Sequence, residues 1–119
     1  MKIPGPDHPI TITPATERVR VTFNGQVVAE TSRALTLQEA SYPAVQYIPR
    51  EDADPALLKR TERSTHCPYK GDASYYSIEA GGRRAENAIW TYETPFPAMA
   101  EIAGHLAFYP DRVDRIEEV

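Results

Sequence analysis

The sequence holds one cysteine, Cys67, among 119 residues. A single thiol closes no disulfide within the chain, and it excludes the four-cysteine zinc sites of small β domains. Glycine is scarce at 6, whereas proline reaches 11. That balance favours rigid, extended connections over flexible linkers. Positive charge is not in excess: 13 Lys and Arg stand against 17 Asp and Glu, for a formal net charge of −4. Binding to nucleic acid through a basic face is disfavoured by that sign, although a local anion pocket is not. No apolar run approaches the roughly 18 residues of a membrane-spanning helix. The opening Met1-Lys-Ile-Pro-Gly-Pro6 lacks the apolar stretch of a secretory signal. These absences lead to the expectation of a soluble, cytoplasmic protein with no membrane or nucleic-acid partner.

What is present suits one domain of 13.3 kDa. Seven Tyr, three Phe and one Trp supply core material. Val19, Val21 and Phe23 alternate with Arg18, Arg20 and Thr22, the period of a half-buried strand. Asn24-Gly25 then supplies a two-residue turn, and Val27-Val28-Ala29 runs back with Val21 opposite Val28. Further strands are expected at Ile10–Ile12, Ala34–Gln38, Val45–Ile48, 73–80, 84–93 and Leu106–Tyr109. Asp54-Pro55 reads as the start of a short helix to Arg60, and Met99, Ile102, Ala103 and Leu106 fall at the spacing of a second one, with Gly104 placed to stop it. Thr65 to Asp72 reads as a loop. The expected organisation is an extended arm over 1–16, one compact domain over 17–113 and a charged tail over 114–119. The expected fold class is mainly β with two short helices, its antiparallel sheets folded into a small barrel-like or tent-like arrangement.

Several stretches resemble one known family. They are Arg18-Val-Arg-Val-Thr-Phe-Asn-Gly25, Tyr42-Pro43 with Tyr47 and Pro49, Thr65-His-Cys-Pro-Tyr-Lys-Gly-Asp-Ala-Ser-Tyr75, Ala88-Ile-Trp-Thr-Tyr92 with Pro95, and Ile102-Ala-Gly-His-Leu-Ala-Phe-Tyr109. Together they resemble the family catalogued as domain of unknown function 427, in its order and over nearly the whole chain. Cys67-Pro-Tyr-Lys-Gly71 is the most specific segment. The resemblance implies a compact β fold similar to a tent of two crossing sheets. Tent-like relatives in other families bind zinc through two Cys-x-x-Cys pairs, which one cysteine cannot supply. The family is sometimes filed under nucleotidyl transfer. That chemistry uses paired carboxylates on magnesium, but Asp54 is better placed to cap a helix, and no glycine-serine nucleotide loop precedes Asp52 and Asp54.

The candidate chemistry centres on the same segment. Cys67 is a candidate nucleophile if His66 or Lys70 activates it. Adjacent residues on an extended chain point apart, so a His66–Cys67 pair needs a backbone turn. Lys70 with the Gly71 amide is a candidate anion site. Arg20 offers a second cation on an outward strand face, where Arg18 and Glu30 also lie in reach. Tyr75 and Trp90 are candidate walls, because their strands flank the loop. Each has a plainer reading: a packed thiol, an exposed turn lysine, a solvated sheet face or an arginine paired with Glu30, and core aromatics. His8, His66 and His105 lie too far apart in sequence to suggest a metal site, so no metal or cofactor is expected. The reading reached is a domain that binds a small anionic ligand at Cys67–Gly71, with Cys67 and Lys70 as candidate catalytic residues and Arg20, Lys70, Gly71, Tyr75 and Trp90 as candidate ligand contacts. The alternative is a non-catalytic interaction or homodimer module built on edge strands.

Overall fold

The strand alternation and the turn residues dictate most of what forms. The computed structural model describes residues 1–119. Ten strands appear in chain order: β1 (Ile10–Pro14), β2 (Val19–Phe23), β3 (Gln26–Thr31), β4 (Leu35–Glu39), β5 (Val45–Tyr47), β6 (Leu58–Cys67), β7 (Gly71–Ala80), β8 (Arg83–Thr91), β9 (Leu106–Phe108) and β10 (Arg115–Glu118). They make three antiparallel sheets, ordered β1-β4-β5, β10-β2-β3 and β6-β7-β8-β9. The protein is thus one mainly β domain, and its sheets do not close into a barrel. No helix is long and apolar enough to cross a membrane.

The β2–β3 hairpin turns through Asn24 and Gly25, both at positive φ (49° and 75°), as a tight two-residue turn requires. Phe23 pairs with Gln26, but a bulge shifts the register so that Val21 faces Ala29 rather than Val28. The extra residue lets Val28 and Ala29 both bury, at 1% and 2% exposure.

Both expected helices shorten to 3-10 turns, at Pro55–Leu57 and Pro97–Ile102. Asp54 does cap the first, accepting from the Ala56 amide at 3.0 Å. Beyond Leu57 the expected helix and loop are replaced by β6, ten residues paired along β7 from Leu58↔Ile78 to Cys67↔Gly71. Only the three residues Pro68 to Lys70 are left to turn. The tail region also differs from expectation: β10 adds to the edge of β2, with Ile116 packed on the core. In the arm, Ile10–Pro14 pairs with β4.

Two apolar clusters lie on opposite faces of the four-stranded sheet. Val19, Val21, Phe23 and Val28 pack with Tyr76, Ile78, Ile89, Leu106 and Phe108. Leu37 and Tyr47 pack with Tyr75, Tyr92, Met99, Ile102 and Ala107. Tyr75 and Tyr76 are consecutive residues that serve different clusters, the alternation expected of a strand. Ile48 and Leu106 exchange both backbone hydrogen bonds (2.8 and 2.7 Å), tying the β4–β5 sheet to β9. The seam between those two sheets positions the site.

Candidate functional site

A cleft of about 200 Å³ opens along that seam, with eight hydrophobic residues among its eleven lining residues. The turn after Cys67 delivers Lys70 to it. Gly71 makes this possible by adopting φ 111°, a region that side chains rarely enter. The Lys70 carbonyl then accepts from the Phe96 amide at 2.9 Å, fixing the turn to the Pro95-Phe96 segment. As a result Lys70 is only 5% exposed, a position few lysines occupy without a partner.

The partner is Glu39, at the end of β4, whose Oε1 accepts from the Lys70 ammonium. The other oxygen, Oε2, bonds His8 Nε2 at 2.7 Å. Burial pushes the Glu39 carboxyl up, but the hydrogen bonds from Lys70 and His8 outweigh it and hold the group below the usual carboxylate range. The His8 ring stacks on Tyr69 at 4.1 Å, and the Lys2 amide bonds the Pro68 carbonyl at 2.7 Å. The arm therefore lies over the turn that carries Lys70.

The walls are aromatic. Trp90 donates its indole N–H to the Tyr47 hydroxyl at 3.1 Å. Burial pushes the Tyr47 and Tyr92 phenols well above their ordinary value. Tyr75 behaves differently. Burial acts upward on it, but hydrogen bonds with the Thr65 (2.8 Å) and Tyr109 (3.5 Å) hydroxyls and the nearby Arg63 guanidinium together bring it below the ordinary value. Burial and the bond to Tyr75 push Tyr109 up to about 12. Arg63 lies over the Tyr75 ring at 5.1 Å and Arg112 over the Tyr109 ring at 4.5 Å. Both cations are exposed and engage rings rather than carboxylates.

Three of the residues expected at a site, Lys70, Tyr75 and Trp90, do line this cleft. Gly71 shapes the turn without lining the cleft. Cys67 is half-buried just outside it, with its sulfur 3.9 Å from Lys70 Nζ. His66 points elsewhere, to Asp72 at 2.7 Å, so the two neighbours form no pair. Arg20 is not brought to the cleft. It sits on the outward face of β2, opposite Glu30 in register, and bonds that carboxylate at 2.5 Å, as Arg18 does at 3.1 Å. Asp52 is occupied by Thr31 and Arg33.

Glu39 and Tyr109 escaped the sequence reading. Both carried a signal: Glu39 continues the inward register of Leu35 and Leu37, and Tyr109 continues that of Ala107. Arg63 carried none, since it is an exposed residue whose ring partner lies on the next strand; Arg112 is local to its ring, three residues after Tyr109 across the turn Pro110–Arg112.

The chain is therefore a small antiparallel β protein with an aromatic cleft built around a buried ion pair. The family described as "Domain of unknown function (DUF427)" matches residues 11–119, and the protein belongs to it. No curated protein matches the chain.

Proposed function

We propose that the cleft binds a small anionic ligand with a flat or apolar body. The observation that carries this reading is a lysine ammonium buried at the base of an aromatic cleft. An ammonium has three donor directions. Glu39 takes one, and a ligand oxygen takes another. Arg63 and Arg112, both near the phenols, make the local field more positive than the net charge of the chain. Tyr75, Trp90 and Tyr109 supply walls that pack on a planar body. Arg20 has no part in this reading, and Cys67 is a neighbour of the ammonium rather than a nucleophile.

Trp90 is the sole tryptophan, so its fluorescence reports on the cleft. Titration with pyruvate, benzoate and inorganic phosphate tests the reading. Saturable quenching by at least one carboxylate is expected, weakened about tenfold or more in Lys70→Met, a loss typical of one charge-assisted hydrogen bond. Absence of saturation with all three, or equal affinity in Lys70→Met, overturns it.

A further inference from the structure

The polar groups lining the cleft are phenols, one indole, the Glu39 carboxylate and the Lys70 ammonium. None is a thiol, an aliphatic hydroxyl or an imidazole, and the Lys70 amine is held as an ammonium against Glu39. Both Glu39 oxygens are already engaged, by Lys70 and by His8. Of the five phenols in the lining, Tyr47 accepts from Trp90, and Tyr75 and Tyr109 are the two whose hydroxyls meet, 3.5 Å apart. Their surroundings differ. Tyr75 is bonded to Thr65 at 2.8 Å and has the Arg63 guanidinium over its ring. Tyr109 also has a guanidinium over its ring, that of Arg112 at 4.5 Å, but its hydroxyl meets only that of Tyr75.

We propose that Tyr75 and Tyr109 form a proton-transfer pair that enolises a small 2-oxo carboxylate held at Lys70. The proposal rests on the ligand reading above. The ligand carboxylate bonds Lys70. The Tyr75 phenolate, accepting from the Thr65 hydroxyl and facing Arg63, removes a proton from the carbon next to the keto group. The C–H electron pair becomes the new C=C bond, and the carbonyl pair moves onto oxygen. Tyr109 donates its phenolic proton to that oxygen. The products are the neutral enol group, a Tyr75 phenol and a Tyr109 phenolate. A proton passing from Tyr75 to Tyr109 across their contact restores the starting state, so no oxidant or reductant is consumed. The direction of the two phenol shifts fits these roles, the more acidic phenol acting as base.

The test is deuterium incorporation into the methyl group of pyruvate in D2O, followed by proton NMR with the full chain. Exchange well above the buffer rate is expected, with a loss of roughly 100-fold in Tyr75→Phe, the scale of one acid–base group. Tyr109→Phe should also be slowed. The wild-type rate should rise with pH and level off below pH 10, the ordinary phenol value. Arg63→Gln, a change at an exposed site, should move that rise to higher pH without unfolding the protein. Pyruvate that quenches Trp90 yet exchanges no faster than in Tyr75→Phe overturns this inference and leaves the ligand reading standing. If benzoate or phosphate binds and pyruvate does not, the substrate class is overturned. If no anion binds, both readings fall.

Discussion

Deleting the charge of Lys70 alone should cost more than deleting it together with that of Glu39. The Lys70 side chain is 7% exposed and that of Glu39 19%. Exposed ion pairs contribute about 0.2–1 kcal/mol, whereas stranding one partner of a buried pair costs about 3–5 kcal/mol. Here the stranded Glu39 would keep its bond to His8 and some contact with water at the cleft. Lys70→Met should therefore lose about 2–4 kcal/mol, toward the buried end of that range. For a chain of this length each kcal/mol moves Tm by about 3–6 °C, giving a fall on the order of 10–15 °C. Glu39→Gln should lose less, about 1–2 kcal/mol, because the carboxamide oxygen still accepts from Lys70. The double variant should recover, leaving a coupling energy of about 2 kcal/mol. Urea unfolding read through Trp90 fluorescence measures all four proteins. Repeating it in about 1 M salt should leave the coupling largely intact, because buried charges are poorly screened. A coupling below about 0.5 kcal/mol, within the error of additivity, would refute the argument.

The hydrogen bonds to Glu39 also make stability depend on pH. Its folded value lies below the ordinary one of 4.5, so its contribution is present above that value and lost as the pH falls through the folded one. The gap in urea midpoint between wild type and Glu39→Gln should therefore narrow between pH 6 and pH 3, and a constant gap would contradict the assignment. His8→Ala removes the bond to Glu39 and the stack on Tyr69, and it should release the arm from the turn. Iodoacetamide should then alkylate Cys67 faster than in wild type, and an unchanged rate would mean that His8 does not hold the arm down. Gly71→Ala has room for the added carbon, whose nearest atoms lie 3.6 Å away, but not the favoured backbone angle. A loss of about 1–3 kcal/mol is expected from strain at φ 111°. Unchanged melting would show that the turn relaxes without cost.

The sequence announces what local chemistry decides. Asn24-Gly25 and the flanking alternation specify the β2–β3 hairpin, and Gly81-Gly82, at φ 59° and 80°, specify the turn between β7 and β8. Lys70, Tyr75 and Trp90 were legible as neighbours because one hairpin and one cross-strand pair bring them together. The β6 strand was not legible. It is an edge strand whose Lys59, Arg60, Glu62, Arg63 and Ser64 all face solvent, so no apolar period marks it. The β3 bulge was likewise hidden, since nothing in Val27-Val28-Ala29 tells which residue is extra. Arg20 was open to two readings, a cation for a ligand or one paired with Glu30, and the register of β2 with β3 decides for the pair. Residue pairs joined only by tertiary packing, such as Trp90 on Tyr47 and Lys70 on Glu39, lie beyond any local pattern.

The Cys67–Gly71 segment could be no more than a tight hairpin turn, with Gly71 setting its path. Its lysine argues otherwise. Replacing a buried ion pair with uncharged side chains of similar size is often neutral or stabilising, because two desolvation penalties disappear. Stability therefore does not require an ammonium at this position, and a methionine on the same backbone would fill the space as well. What the ammonium adds is a positive charge facing a cleft walled by Tyr75, Trp90 and Tyr109. The Lys70→Met/Glu39→Gln variant separates the two accounts. If the pair serves only the fold, the variant should lose stability and any effect on Trp90 titrations should follow from unfolding. If the pair serves the cleft, the variant should stay within about 1 kcal/mol of wild type in urea and still fail to bind the carboxylate that wild type binds. A variant that is stable and binds as tightly as wild type would remove Lys70 from the site altogether.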